Sequence, residues 1–153
     1  MTILLVRHAL ALPRKKWDGD DDDRPLTARG FRQAAGIVDQ LSDHRIDVVY
    51  SSPALRCTDT VKPLARSQKV RINRVKALAE GRGTRALKLV DRAPCVVLCA
   101  HGDNLPELLL ALAGHLDDVP TDPPFAKGST WVLTRKPGAG GKVRTAAYLP
   151  PPA

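Results

Sequence analysis

Aromatic residues are scarce in this chain: Phe, Trp and Tyr occur twice each and make up 4% of it. Proteins that hold single-stranded nucleic acid need aromatic platforms for base stacking, and a clustered basic stripe beside them. The basic residues here are scattered, so nucleic acid is not the expected partner. Cysteine is also sparse: Cys57, Cys95 and Cys99, an odd number with no C-x-x-C spacing. That excludes a closed disulfide framework and points to a reducing, cytoplasmic setting. Cys95 and Cys99 lie in an apolar run and read as buried, inert thiols. The apolar run at residues 3–6 has no basic segment before it and is too short for a signal peptide. No stretch approaches the length of a membrane span, so no membrane partner is expected.

What the chain does have is positive charge. Lys and Arg outnumber Asp and Glu by 24 to 16, giving a formal charge of +8, which favours anionic partners. It also has a clear alternation of strand and helix signals. Residues 3–6 form a continuous apolar run suited to a strand buried on both faces. A polar loop follows over 13–25. Thr27 can cap a helix whose Phe31, Ala34, Ala35, Val38 and Leu41 recur at helical spacing to about Ser42. Residues 46–50 read as a second strand. Ser51-Ser52-Pro53 turns into a helix carrying Leu55, Arg56, Thr60 and Leu64, which Pro63 should kink or shorten. A weaker strand is predicted at 70–75, a helix at 82–91, a central strand at 95–100 and an apolar helix at 105–112. Strands at 130–134 and 143–148 close the pattern, joined by a glycine-rich connector at 137–141. The expected fold is one three-layer α/β/α domain over 1–149 with a mostly parallel central sheet. Residues 150–153 read as a loose tail.

Ligands of open parallel sheets bind beyond the carboxyl ends of the strands. Three such ends are chemically loaded. The first strand runs into Arg7-His8. The second runs into Ser51-Ser52-Pro53, with Arg56 one turn later. The fourth runs into His101-Gly102. Arginine forks bind two phosphoryl oxygens at once and keep their charge. A protonated histidine adds to that field, while a neutral one can attack phosphorus. Two arginines and two histidines are therefore a phosphoryl-transfer set.

These segments resemble a known family. Leu5-Val6-Arg7-His8-Ala9 is similar to the R-H-G signature of the histidine phosphatase superfamily, the phosphoglycerate mutase-like group. Ser51-Ser52-Pro53-Ala54-Leu55-Arg56 with Thr60 resembles its S-S-P-x-x-R-x-x-x-T segment, and Ala100-His101-Gly102 its second histidine motif. Pro25-Leu26-Thr27-Ala28-Arg29-Gly30 with Gln33 resembles its P-L-T-x-x-G-x-x-Q-A helix start. The length is similar to that of small SixA-like members. Further likeness to the C-terminal domain of two-domain MutT-type Nudix hydrolases lies in Arg7-His8-Ala9, Gly19-Asp20-Asp21, Arg24-Pro25-Leu26 and Lys127-Gly128-Ser129-Thr130-Trp131-Val132-Leu133. The resemblance implies a metal-independent, cofactor-free phosphatase with His8 as nucleophile. Arg7, Arg56 and His101 would form the phosphate pocket, and Glu80 would be the general acid. Asp103 and Glu107 are rivals for that last role. One departure stands out: Ala9 occupies a position where the family usually has glycine.

Several residues carry simpler readings. Ser51 could hold a phosphate oxygen, but capping of the helix is the stronger expectation. Ser129 is offered as a residue reaching the site from the last strand pair. His44 and His115 sit near helix ends, where a surface role suffices. The run Asp20-Asp21-Asp22-Asp23 lacks the spacing of a calcium loop and reads as solvated. Arg14-Lys15-Lys16 should flank the site mouth or face solvent. The expected substrate is a phosphorylated nucleotide or protein phosphohistidine. The alternative is a non-catalytic phosphate-binding module that partners a separate Nudix-type hydrolase.

Overall fold

The computed structural model describes residues 1–138 and 140–153. Six strands form one sheet: β1 (Thr2–Arg7), β2 (Val48–Ser51), β3 (Ile72–Arg74), β4 (Cys95–Ala100), β5 (Thr130–Arg135) and β6 (Val143–Leu149). Their order across the sheet is β3-β2-β4-β1-β5-β6. The pairs β3–β2, β2–β4 and β4–β1 are parallel, while β5 and β6 add antiparallel. The expected mostly parallel α/β architecture is what the chain adopts.

The continuous apolar runs of β1 and β4 are explained by burial on both faces. Ile3 and Leu5 join Val96, Leu98 and Ala100 on one face, packed with Leu105, Leu108 and Leu109 of α3 (Asn104–Ala113). Leu4 and Val6 join Cys95, Val97 and Cys99 on the other. There they meet Ile37 of α1 (Ala28–Gln40) and Cys57, Val61 and Leu64 of α2 (Leu55–Gln68). Side chains alternating at period two thus feed both outer layers. All three cysteines are free and buried. Among the described residues, no helix is long and apolar enough to cross a membrane.

Some elements differ from expectation. Thr27 does cap α1, its hydroxyl accepting from Gly30 N–H at 3.0 Å. The buried face, however, is Gly30, Gln33, Ala34 and Ile37, while Phe31 is exposed. Gly30 sets that rotation, because a Cβ there would lie 2.1 Å from the Leu10 carbonyl oxygen. The strand predicted at 46–50 begins at Val48, because Ile46 N–H is taken by the Gln68 side chain at 3.1 Å. Pro63 neither ends nor shortens α2. The helix predicted at 82–91 is replaced by turns and a short 3₁₀ segment, Leu87–Asp91. Gly81 and Gly83 hold φ of +80° and +57°, left-handed angles that no helix continues through. Of the connector predicted at 137–141, Ala139 lies outside the described residues. The tail at 150–153 packs on α1: the Pro150 carbonyl accepts from Gln40 at 2.9 Å, and Pro152 covers Gly36.

Candidate active site

Parallel pairing brings the carboxyl ends of β1, β4 and β2 side by side. Arg7 is opposite Ala100, and Ser51 opposite Cys99. Beyond the ladder, His8 N–H donates to the Ala100 carbonyl at 3.1 Å and Ser52 N–H to the Cys99 carbonyl at 2.9 Å. The residues just past each strand are thus fixed by backbone before any side chain is considered. His8 and His101 meet edge to face, ring centroids 5.6 Å apart. A cavity of about 520 Å³ opens over them, lined among others by Arg7, Glu80, Gly102 and Asp103.

His8 is buried and its Nδ1 lies 2.8 Å from the Ala9 carbonyl oxygen. A carbonyl only accepts, so Nδ1 carries the proton. Nε2 then holds the lone pair, and it has no protein partner among the described residues. Desolvation by burial, joined by the positive charges of His101, Arg56 and Arg7, lowers the His8 pKa to about 3, against the hydrogen bond to Ala9. The ring is neutral at physiological pH. An unfolded histidine titrates near ~6.5. Below that pH the unfolded chain takes up a proton that the folded one refuses. His8 therefore costs no stability above about pH 6.5, and stability falls as pH drops toward about 3. Melting temperatures measured from pH ~7 down to ~4.5 should fall less steeply in His8→Gln than in the native protein.

Arg56 comes from the first turn of α2 and is 1% exposed. Its Nη1 donates to the Asp21 carbonyl at 2.9 Å and its Nη2 to Glu80 Oε1 at 2.7 Å. The same Nη2 lies 3.3 Å from the Asp21 carboxylate. Thr60 ties this helix to β1: its hydroxyl donates to the Arg56 carbonyl at 2.6 Å and accepts from Ala9 N–H at 2.8 Å. Ala9 has no left-handed backbone angle and packs against Ala11 and Leu26, so alanine fits where glycine is usual. Arg7 Nη1 donates to the Phe125 carbonyl at 2.6 Å. Burial pulls its pKa down, with Asp103, Cys57 and Glu80 opposing.

Gly102 explains its own place in the motif. A Cβ on it would lie 2.7 Å from Arg7 Cζ. Gly102→Ala must push the guanidinium aside. Misplacing a positioning group by ~1 Å can cost ~10²-fold. The variant should keep its fold, by circular dichroism, and lose kcat/KM on an aryl phosphate by roughly that factor.

His101 N–H donates to Asn104 Oδ1 at 3.0 Å. Its Nε2 is 2.8 Å from Ser52 Oγ, and its Nδ1 is 3.4 Å from Glu80 Oε1. Glu80 is brought in through Asn104, whose side-chain amide donates to the Leu78 and Ala79 carbonyls at 2.8 and 3.2 Å. Asp103 lines the cavity but accepts from Gly81 N–H at 2.7 Å; Glu107 is not among the lining residues. The five residues expected from sequence, Arg7, His8, Arg56, Glu80 and His101, thus lie together.

Other residues depart from expectation or carry no clear sequence signal. Ser51 does not cap α2; its hydroxyl donates to the Ser52 carbonyl at 2.9 Å. Ser52 accepts from Ala54 N–H and is the serine beside His101. Ser129 is buried, with no side-chain partner among the described residues, and does not line the cavity. The Asp20-to-Asp23 run is not merely solvated. Asp20 caps the 3₁₀ turn Asp21–Asp23, and Asp21 lies near Arg14, Arg24 and Arg56. Although desolvation pushes Asp21 up, those arginines hold it below the usual carboxylate range. His44 is half-buried in the turns that follow α1, and His115 Nε2 meets the Val143 carbonyl; neither lines the cavity. Cys57 lies 3.7 Å from His101 Nε2. Burial would raise its pKa, but Cys99, His101 and Arg56 bring it down to about 6. Arg14, Arg24 and Lys127 also line the cavity. Arg14 was expected at the site mouth, and Arg24 and Lys127 lie in segments that carry the family likeness, although neither was assigned a place in the site.

Two histidines and two arginines are thus gathered beyond the parallel strand ends, a set suited to holding an anionic group. The sequence profile of the histidine phosphatase superfamily (branch 1) matches residues 3–85. The chain belongs to that superfamily. It is 33% identical to an 8-oxo-(d)GTP phosphatase of Mycolicibacterium smegmatis, across 99% of this chain and 48% of that protein. This chain therefore spans about half the length of that curated relative. Among solved structures it is similar to a candidate phosphohistidine phosphatase SixA of Agrobacterium tumefaciens. Identity is 26%, TM-score 0.78, coverage 98% and 97% of the two chains. A second candidate SixA, from Nakamurella multipartitia, gives 26% and 0.74, with coverage of 99% and 96%.

Proposed function

We propose that this protein is a metal-independent phosphatase that passes its substrate's phosphoryl group through His8. The observation that carries the reading is the state of His8. The ring is held neutral, its Nδ1 proton is committed to the Ala9 carbonyl, and its unpartnered Nε2 belongs to a cavity-lining side chain. Nε2 attacks phosphorus, and the bond from phosphorus to the leaving oxygen breaks. Arg7, Arg56 and His101 hold the equatorial oxygens, where their charge matches what develops in the transition state. Arg56 and Glu80 are hydrogen-bonded in the structure. An incoming phosphoryl competes for that arginine fork and releases the carboxylate. Glu80 then gives a proton to the leaving oxygen and later takes one from the water that cleaves phospho-His8. Arginines supply the charge that a metal supplies in other phosphatases.

The substrate is a phosphorylated nucleotide or a protein phosphohistidine. Likeness to a nucleotide phosphatase supports the first and likeness to SixA structures the second. The unpartnered Nε2 on a cavity-lining ring favours turnover over a silent phosphate-binding module. Phosphate release from an aryl phosphate in the presence of EDTA tests the reading. Full activity with the chelator is expected. Loss of activity on chelation, restored by a divalent metal, rejects it.

A further inference from the structure

The cavity holds more positive charge than one phosphoryl group needs. Arg7, with Arg56 and the two histidines beside it, accounts for the transferring group. Arg14, Arg24 and Lys127 line the same cavity and have no part in that step. Its lining sets four cations against two carboxylates, Glu80 and Asp103, and Asp103 is engaged by Gly81 N–H.

The backbone beside Lys127 and the side chain of Arg24 are held by hydrogen bonds. Lys127 is fixed beside the nucleophile by its neighbour: Gly128 N–H donates to the His8 carbonyl at 2.9 Å and lies 3.2 Å from that of Arg7. Gly128 has φ of +86°, and an added Cβ would lie 3.1 Å from Gln33 Oε1. That oxygen in turn accepts from Leu10 N–H at 2.9 Å. Arg24 is buried, its Nε donating to Asp21 Oδ1 at 3.0 Å and its Nη1 to the Leu12 carbonyl at 2.8 Å. Arg14 is exposed and reaches Glu80 at 3.3 Å. The Lys127 ammonium is pushed below its usual pKa by desolvation first, then by Arg7, Arg24, Arg14 and Arg56. A volume of about 520 Å³ exceeds what a single phosphate occupies and falls in the usual range of small-molecule sites.

We infer that Arg14, Arg24 and Lys127 form a subsite for a second phosphate bonded to the scissile one, so that the substrate is a diphosphate such as a nucleoside diphosphate. The inference rests on the His8 reading for its chemistry. His8 Nε2 attacks the terminal phosphorus, the bond to the bridging oxygen breaks, and a phosphate monoester leaves with the bond's electron pair. Such a leaving group, with a second pKa near ~6, departs with little help from an acid. Water then attacks phospho-His8, the phosphorus–nitrogen bond breaks, and inorganic phosphate is freed with His8 neutral again.

Two measurements test it. The first is calorimetric binding of a methylene-bridged nucleoside diphosphate, which resists hydrolysis, against the matching nucleoside monophosphate. The diphosphate should bind about tenfold or more tightly, as a charge-assisted contact allows. In Lys127→Ala and Arg14→Ala most of that gap should close. Both side chains are exposed, so folding is not at stake. Equal binding of the two ligands, or a gap that neither substitution narrows, overturns the subsite. The second is turnover: kcat/KM for the nucleoside diphosphate should exceed that for a phosphohistidine peptide, and the reverse order overturns the assignment. Failure of the His8 reading shows separately, as loss of turnover for every probe while the binding gap persists.

Discussion

His8→Ala should lower kcat for aryl phosphate hydrolysis by ~10⁴-fold or more, the scale seen when a nucleophile is removed. Among the described residues that line the cavity, the other imidazole is His101. His101 has both ring nitrogens near partners, with Ser52 at 2.8 Å and Glu80 at 3.4 Å. His8→Gln is the sharper variant, since an amide approximates the ring's shape and polarity without offering a nucleophilic nitrogen. Retained cooperative melting with lost turnover places the defect in chemistry. Activity within tenfold of native in either variant contradicts the role given to His8.

Arg56→Ala should lower kcat/KM by about 10³-fold, because in the proposed reaction its buried fork binds two phosphoryl oxygens at once. The same substitution should cost roughly 2–4 kcal/mol of stability. Its side chain is among the largest that are fully enclosed, and it joins α2 to the Asp21 carbonyl and to Glu80. Asp21 and Glu80 are each more than 40% exposed and can rehydrate, which keeps the cost below that of stranding a buried charge. Arg56→Lys separates the two effects. It keeps the charge and most of the packing but loses the planar fork, so stability should recover while activity stays about 10²-fold low. Steady-state kinetics beside urea unfolding reads both quantities.

The sequence was most legible where one local rule decided the outcome. Continuous apolar runs named β1 and β4 because a strand buried on both faces leaves no other pattern. Their ends then named Arg7, His8 and His101, since parallel strands deliver their C-terminal neighbours to one edge. Arg56 followed from the end of β2, one turn into the next helix, whereas Glu80 required motif likeness, because a loop position announces no direction. Features set by tertiary contact stayed hidden. The rotation of α1 depends on Gly30 pressing on the Leu10 carbonyl, so Phe31, correct in period, faces out. Asn104 places the Glu80 segment through its side-chain amide, a contact across 25 or more residues of sequence. Ser52 rather than Ser51 meets His101 because strand alternation turns adjacent side chains to opposite sides. The turns at 82–86 arise from two left-handed glycines, where composition read as a helix with a weak start.

The most direct test of the central claim is to trap the enzyme during turnover, quench it under alkaline conditions that preserve phosphoramidates, and map the phosphate by peptide mass spectrometry. The account predicts phosphate on the peptide containing His8, absent without substrate and absent in His8→Ala. Steady turnover of the native protein with no phosphate on that peptide, or with phosphate on His101 instead, would contradict it.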